Sequence, residues 1–232
     1  MATFKVIDII SRVESILQDT GVRWPRVELQ SWLNESYLSI VLLRPDANAK
    51  CATFTCAAGT KQELTASSGG FPSALRLLDI TRNVKSGSLK KVVRVVDRAV
   101  LDDQRPSWHT ETQTDNIQHY TYDPRIPKEF YVYPPATATA ELEVIYTDAP
   151  GAHTLSASDL DPVTGSAEVI KLDDIYLSPI TDWILYRAYS KDAEYGANEA
   201  RAAAAYQAFN AAIGVKTQAD LAVTPTTGKA VA

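Results

Sequence analysis

Val6, Ile9, Ile10, Val13, Ile16 and Leu17 recur at intervals of three and four, the spacing that lines one side of a helix, so the chain is expected to open with a helix over residues 6–17. Thr20-Gly21 should close it, and Trp24-Pro25 should begin a second helix with proline in the first turn, where a missing N–H costs nothing. Leu29, Trp32, Leu33, Ser36, Tyr37, Ile40 and Leu43 carry the period on to Arg44-Pro45, which stops it. The pair reads as an antiparallel helical hairpin. Beyond Pro45, Gly59, Ser67-Ser68-Gly69-Gly70, Ser86-Gly87-Ser88, Pro124, Pro127 and Pro134-Pro135 punctuate short runs rich in Val, Thr, Tyr and Phe, which are turn signals between strands. Residues 91–96, 119–122, 129–133 and 141–146 are the expected strands, closing into an antiparallel sheet or small sandwich.

From about Leu172 the helical period returns. Ile175, Ile180, Trp183, Ile184, Arg187 and Ala188 form one face of a third helix, Leu172-Asp173-Asp174 supplies an acidic cap, and Pro179 predicts a kink or a delayed start. An alanine-rich fourth helix runs from about Ala197 to Ile213, with Gly214 as its stop. Each hairpin has an apolar face and no neighbour in sequence to cover it. The expected fold is therefore α+β: a four-helix bundle made by N- and C-terminal helical hairpins (residues 1–46 and 168–215), an inserted antiparallel β domain (47–167), and an extended C-terminal tail (216–232) too poor in apolar residues to pack by itself.

Charge narrows the possible partners. The net charge is −5, and no basic module hides in that average: residues 1–46 carry five basic and six acidic side chains, and 47–167 carry twelve and fourteen. Counterion-release binding along DNA is disfavoured. Only Cys51 and Cys56 are present, an odd separation that sends them to opposite faces of a strand, which argues against a disulfide or a shared metal and for a reducing compartment. Lys5, Asp8, Arg12 and Glu14 break up the N-terminal apolar positions, so neither a secretory signal nor a membrane span is expected.

Catalytic chemistry is thinly represented. His109, His119 and His153 lack a companion at metal-ligand or triad spacing, and structural or surface roles are expected for them. Asp173-Asp174 reads as a helix cap, Asp102-Asp103 as a turn, and Asp159-Leu-Asp-Pro-Val-Thr-Gly lacks the alternating oxygens of a calcium loop. Ala57-Ala-Gly-Thr-Lys has no glycine-rich run ahead of it and is not a phosphate loop. No catalytic residue, metal or cofactor is therefore expected. The cluster Tyr120, Tyr122, Phe130, Tyr131 and Tyr133 fits sheet packing or subunit contact better than base stacking. Trp24, Trp32 and Trp183 fall on helical apolar faces, while Trp108, in a loop beside Pro106, is the candidate interface anchor.

Arg23-Trp-Pro-Arg-Val-Glu-Leu-Gln-Ser-Trp-Leu-Asn-Glu-Ser-Tyr, Val41-Leu-Leu-Arg-Pro-Asp-Ala, Gly59-Thr-Lys-Gln, Leu77-Leu-Asp-Ile-Thr-Arg-Asn, His119-Tyr-Thr-Tyr-Asp-Pro-Arg, Phe130-Tyr-Val-Tyr-Pro-Pro and Leu185-Tyr-Arg-Ala-Tyr-Ser-Lys-Asp-Ala-Glu-Tyr cover most of residues 20–215. Together they resemble the head-to-tail adaptor (connector) proteins of tailed bacteriophages, of the tail tubular protein A type. The resemblance implies a non-enzymatic virion protein of the neck, assembled in the host cytoplasm. It implies a ring expected to hold twelve copies, docked on the portal protein and carrying the tail nozzle or next tail component, with DNA passing through unbound. It also assigns the tail, with Leu221, Val223, Pro225 and Lys229, to portal contact. A competing reading is a carbohydrate- or peptide-binding module of a phage tail using the tyrosine-rich β domain, and a third is a hydrolase centred on His109 or His119.

Overall fold

The computed structural model describes residues 2–85, 90–192 and 196–223, with side chains as far as Gly214. In chain order its helices are α1 (Val6–Leu17), α2 (Arg26–Leu43), α3 (Arg98–Gln104), α4 (Leu177–Lys191) and α5 (Gly196–Val223). Its strands are β1 (Ala49–Thr55), β2 (Gly59–Glu63), β3 (Ala74–Asn83), β4 (Arg94–Val95), β5 (His119–Tyr122), β6 (Glu129–Ala136) and β7 (Glu141–Asp148). The chain divides into two compact units, Met1–Ala47 with Pro150–Ala232, and Asn48–Ala149.

In the first unit, Val6, Ile9, Ile10 and Val13 of α1 are buried as their spacing requires, while Ile16 is largely exposed. The helix ends at Leu17, where Gln18 takes a left-handed conformation (φ 54°) ahead of the expected Thr20-Gly21. The Asp19 carboxylate then accepts the Arg23 and Trp24 N–H groups at 3.1 and 3.2 Å, fixing the turn into α2. Leu29, Leu33, Tyr37 and Ile40 of α2 pack with Ile180, Ile184 and Ala188 of α4, and Phe209 and Ile213 of α5 complete that core. Pro179 sits in the first turn of α4, where no intrahelical hydrogen bond is lost, and a 3₁₀ turn at Asp174–Tyr176 leads into the helix. Leu43 and Ile175, expected on buried faces, are instead half exposed or more.

The expected four-helix bundle with an inserted antiparallel β domain is not the fold. The described residues hold five α-helices and seven strands in two sheets, α+β overall. One helix, α3, lies inside residues 48–149, and a parallel pair, β4 with β5, breaks the all-antiparallel pattern. The helical core is not sealed by helices alone either. Leu160, Ile170 and Leu172, from the irregular stretch before α4, are buried within it. Side chains of α2 receive that stretch much as a strand would: the Asn34 amide exchanges hydrogen bonds with the His153 backbone, both at 2.9 Å, and Gln30 does the same with Leu155 at 3.0 and 3.3 Å. A side-chain amide can satisfy a backbone donor and acceptor at once, which lets extended chain enter an apolar core without orphaned polar groups.

The second unit packs a three-stranded sheet, β1-β7-β3, and a four-stranded sheet, β2-β6-β5-β4, around Phe54, Leu64, Leu77, Ile80, Phe130, Val132, Leu142 and Val144. β3 shifts register against β7 three times, so Ala74, Leu77, Ile80 and Asn83 are buried at every third residue in place of every second. Asn83 is fully buried and matched: its amide donates to the Lys91 and Ile117 carbonyls at 3.0 and 2.8 Å and accepts the Ile117 N–H at 2.9 Å. α3 begins where the Asp97 carboxylate accepts the Ala99 N–H at 2.9 Å.

Candidate interaction surfaces

The residues with chemical potential are held in structural pairings. His109 stacks on Trp108 and its Nδ1 lies 2.8 Å from the Thr60 hydroxyl, and His119 stacks on Tyr133. His153 is 2% exposed, with Nε2 2.9 Å from the Tyr37 hydroxyl and Nδ1 2.9 Å from the Glu168 carboxylate. Burial pushes its pKa below the ordinary histidine value, and burial likewise raises that of Tyr37. The Lys171 ammonium, 2.6 Å from Glu168, is the first cause holding that carboxyl below its usual range, ahead of His153.

The acidic pairs are likewise engaged. Asp173 accepts the Ile175 N–H at the start of the 3₁₀ turn, but Asp174 faces elsewhere, accepting the Thr3 N–H and hydroxyl at 2.8 and 2.6 Å. Asp161 closes a turn by accepting the Val163 and Thr164 N–H groups, both at 2.8 Å. Asp102, read from sequence as part of a turn, lies on α3 and accepts the Trp108 indole N–H at 2.9 Å, the first cause of its lowered pKa. Among the described residues no group of three or more His, Cys, Asp or Glu is placed to hold a metal ion, and no helix is long and apolar enough to cross a membrane.

Trp108 is fully buried beside Leu101 and Tyr133. Its ring organises the loop that carries it and is not available for a partner to cover. Tyr120, Phe130 and Tyr133 also point inward; the Tyr120 hydroxyl donates to Asp79 at 2.8 Å and that of Tyr133 to Glu111 at 3.1 Å. Tyr122 and Tyr131 alone of that cluster are half-buried, which leaves little of the flat aromatic platform a glycan needs. Leu221 and Val223 fall on α5, which passes through Gly214 without stopping, while Pro225 and Lys229 lie outside the described residues.

Part of what the helical unit exposes is apolar or uncharged surface. On α2, Val27, Leu38 and Leu42 are 44%, 56% and 81% exposed, and they align with Ser31 in one stripe at helical spacing. Of the helices, α5 packs chiefly on α4, turning Ala202, Phe209 and Ile213 inward and leaving its opposite side to solvent. From residue 202 to residue 215 that helix contains no charged side chain. The sequence carried a signal for the α2 stripe: these apolar positions are surplus to the buried period. Isolated exposed leucines are ordinary, and it is their alignment on one charge-poor helix face that sets this stripe apart.

A comparison with curated proteins finds no match for the chain. A family model does match, that of the SU10 adaptor protein, and it covers residues 4–229. With nearly the whole chain matched, it belongs to the SU10 adaptor protein family, a family of bacteriophage adaptors and hence of virion components.

Proposed function

We propose that the chain is a head-to-tail adaptor: copies close into a ring, expected to hold twelve, seated between the portal and the next tail component at the neck of the virion. The observation that carries this reading is the family match along nearly the whole chain. The exposed, charge-poor faces of α2 and α5 support it, since a joining protein needs faces for neighbours more than it needs a pocket. The C-terminal segment, with Leu221, Val223, Pro225 and Lys229, is the part we assign to the portal, and Trp108 contributes by holding its loop in shape. The acidic balance of the chain suits a channel through which DNA slides without being held.

Electron microscopy of the purified chain, alone and mixed with portal rings from the same phage, tests this reading. Closed rings stacked on the portal are expected. A chain that forms no ring and no stacked complex under either condition contradicts it.

A further inference from the structure

Two faces of the helical unit that are poor in charge match each other. Resting on the ring reading above, we propose that the lateral contact of the ring is made by the α2 stripe of one copy, Val27, Leu38 and Leu42, seated on the outer face of α5 in the next copy. The stripe spans residues 27–42, about 22 Å of helix at ~1.5 Å per residue. On α5, Ala197, Ala200, Ala204, Ala208 and Ala211 are exposed along one line opposite Phe209 and Ile213, a run of about 21 Å by the same rise. Large side chains on one helix and methyl groups on the other allow close approach, with the leucines filling the space the alanines leave.

Three observations select a second copy as the occupant. α2 and α5 both pack on α4 and turn their exposed sides away from the shared core, so one copy carries two different faces and the contact is head-to-tail, the kind that closes a ring. Every copy carries a net charge of −5, so copies meet at least electrostatic cost where both faces are poor in charge, Arg201 being the one charged side chain beside the α5 line. The charged groups bordering the stripe are already matched within the unit: Glu35 pairs with Arg187 and Glu28 with Lys191, both at 2.6 Å. A like-on-like contact, α2 against α2, would set leucine on leucine and stop at a dimer.

The test uses two full-length variants, Leu38→Glu with Leu42→Glu on α2, and Ala204→Lys with Ala208→Lys on α5. Each is checked for native helicity by circular dichroism and weighed by mass photometry, alone and with portal rings. Each variant by itself should weaken assembly by at least about tenfold, because a charge is buried without a partner. An equal mixture should restore it, since in an alternating ring every Glu-bearing α2 meets a Lys-bearing α5 and every unaltered α2 an unaltered α5. Folded variants that assemble like the unaltered chain overturn the proposal and leave the ring reading standing. So does a mixture that stays dissociated although both variants are folded. An unaltered chain that never assembles, alone or on the portal, overturns the ring reading and this contact with it.

Discussion

At the scale of single residues, buried polar side chains hold the structure together. Trp108 combines a fully buried indole with one hydrogen bond to Asp102. Trp108→Ala should cost ~3–5 kcal/mol of stability, and Trp108→Phe, which keeps most of the volume but not the N–H donor, ~1–2 kcal/mol. Urea unfolding of the two variants checks both parts; a Phe variant as stable as the unaltered chain would mean that the hydrogen bond contributes nothing, and equal losses that the buried ring volume contributes nothing. His153 makes stability depend on pH. Burial holds its folded pKa below the unfolded value, so the native ring stays neutral where the unfolded chain binds a proton. Its contribution is present above about pH 6.5 and is lost as pH falls below that value, with Glu168, also depressed, adding to the loss in the carboxylate range. His153→Gln should lower stability at neutral pH and flatten the decline between about pH 6.5 and 5. An unchanged slope of the urea midpoint against pH would rule this out.

At the scale of elements, the sign of one glycine substitution is informative. Gly214 suggests a helix stop when read by itself, yet α5 continues to Val223, and an added Cβ at Gly214 would meet nothing within 4 Å. Gly214→Ala should therefore raise stability, by ~0.5–1 kcal/mol, and increase the helical signal in circular dichroism. A loss would mean that the residue ends the helix after all. The elements that sequence concealed were hidden for identifiable reasons. β3 breaks the two-residue period because its register shifts move Leu77, Ile80 and Asn83 to the same face at intervals of three. α3 is one short turn-rich helix whose Asp102-Asp103 imitates a loop, although Asp97 ahead of Arg98 and the Arg98–Asp102 pair, at 3.3 Å, are legible helix signals. By contrast α1, α2 and α4 were readable, since each presents one face to a core.

At the scale of the whole molecule, the two units differ in how the chain builds them. All strand pairs and the buried cluster of the β unit lie within Asn48–Ala149, one continuous stretch. Expressed alone, that stretch should fold and unfold in a single cooperative transition, measurable by near-ultraviolet circular dichroism; a spectrum without fixed aromatic signal would contradict it. The helical unit cannot be cut from one stretch, because the backbone of Val6 donates to Glu168 at 3.0 Å and that of Ile170 to Phe4 at the same distance. Periodicity in the sequence determined the ends of the chain, because a helix that buries one side repeats its apolar residues whatever it packs against. Only the tertiary structure decided that Leu160, Ile170 and Leu172 complete the helical core, that Trp108 faces inward, and that Leu38 and Leu42 remain outside. Those outcomes depend on which surfaces meet, for the helical core across more than a hundred residues of chain, and local spacing carries no information about partners away in sequence.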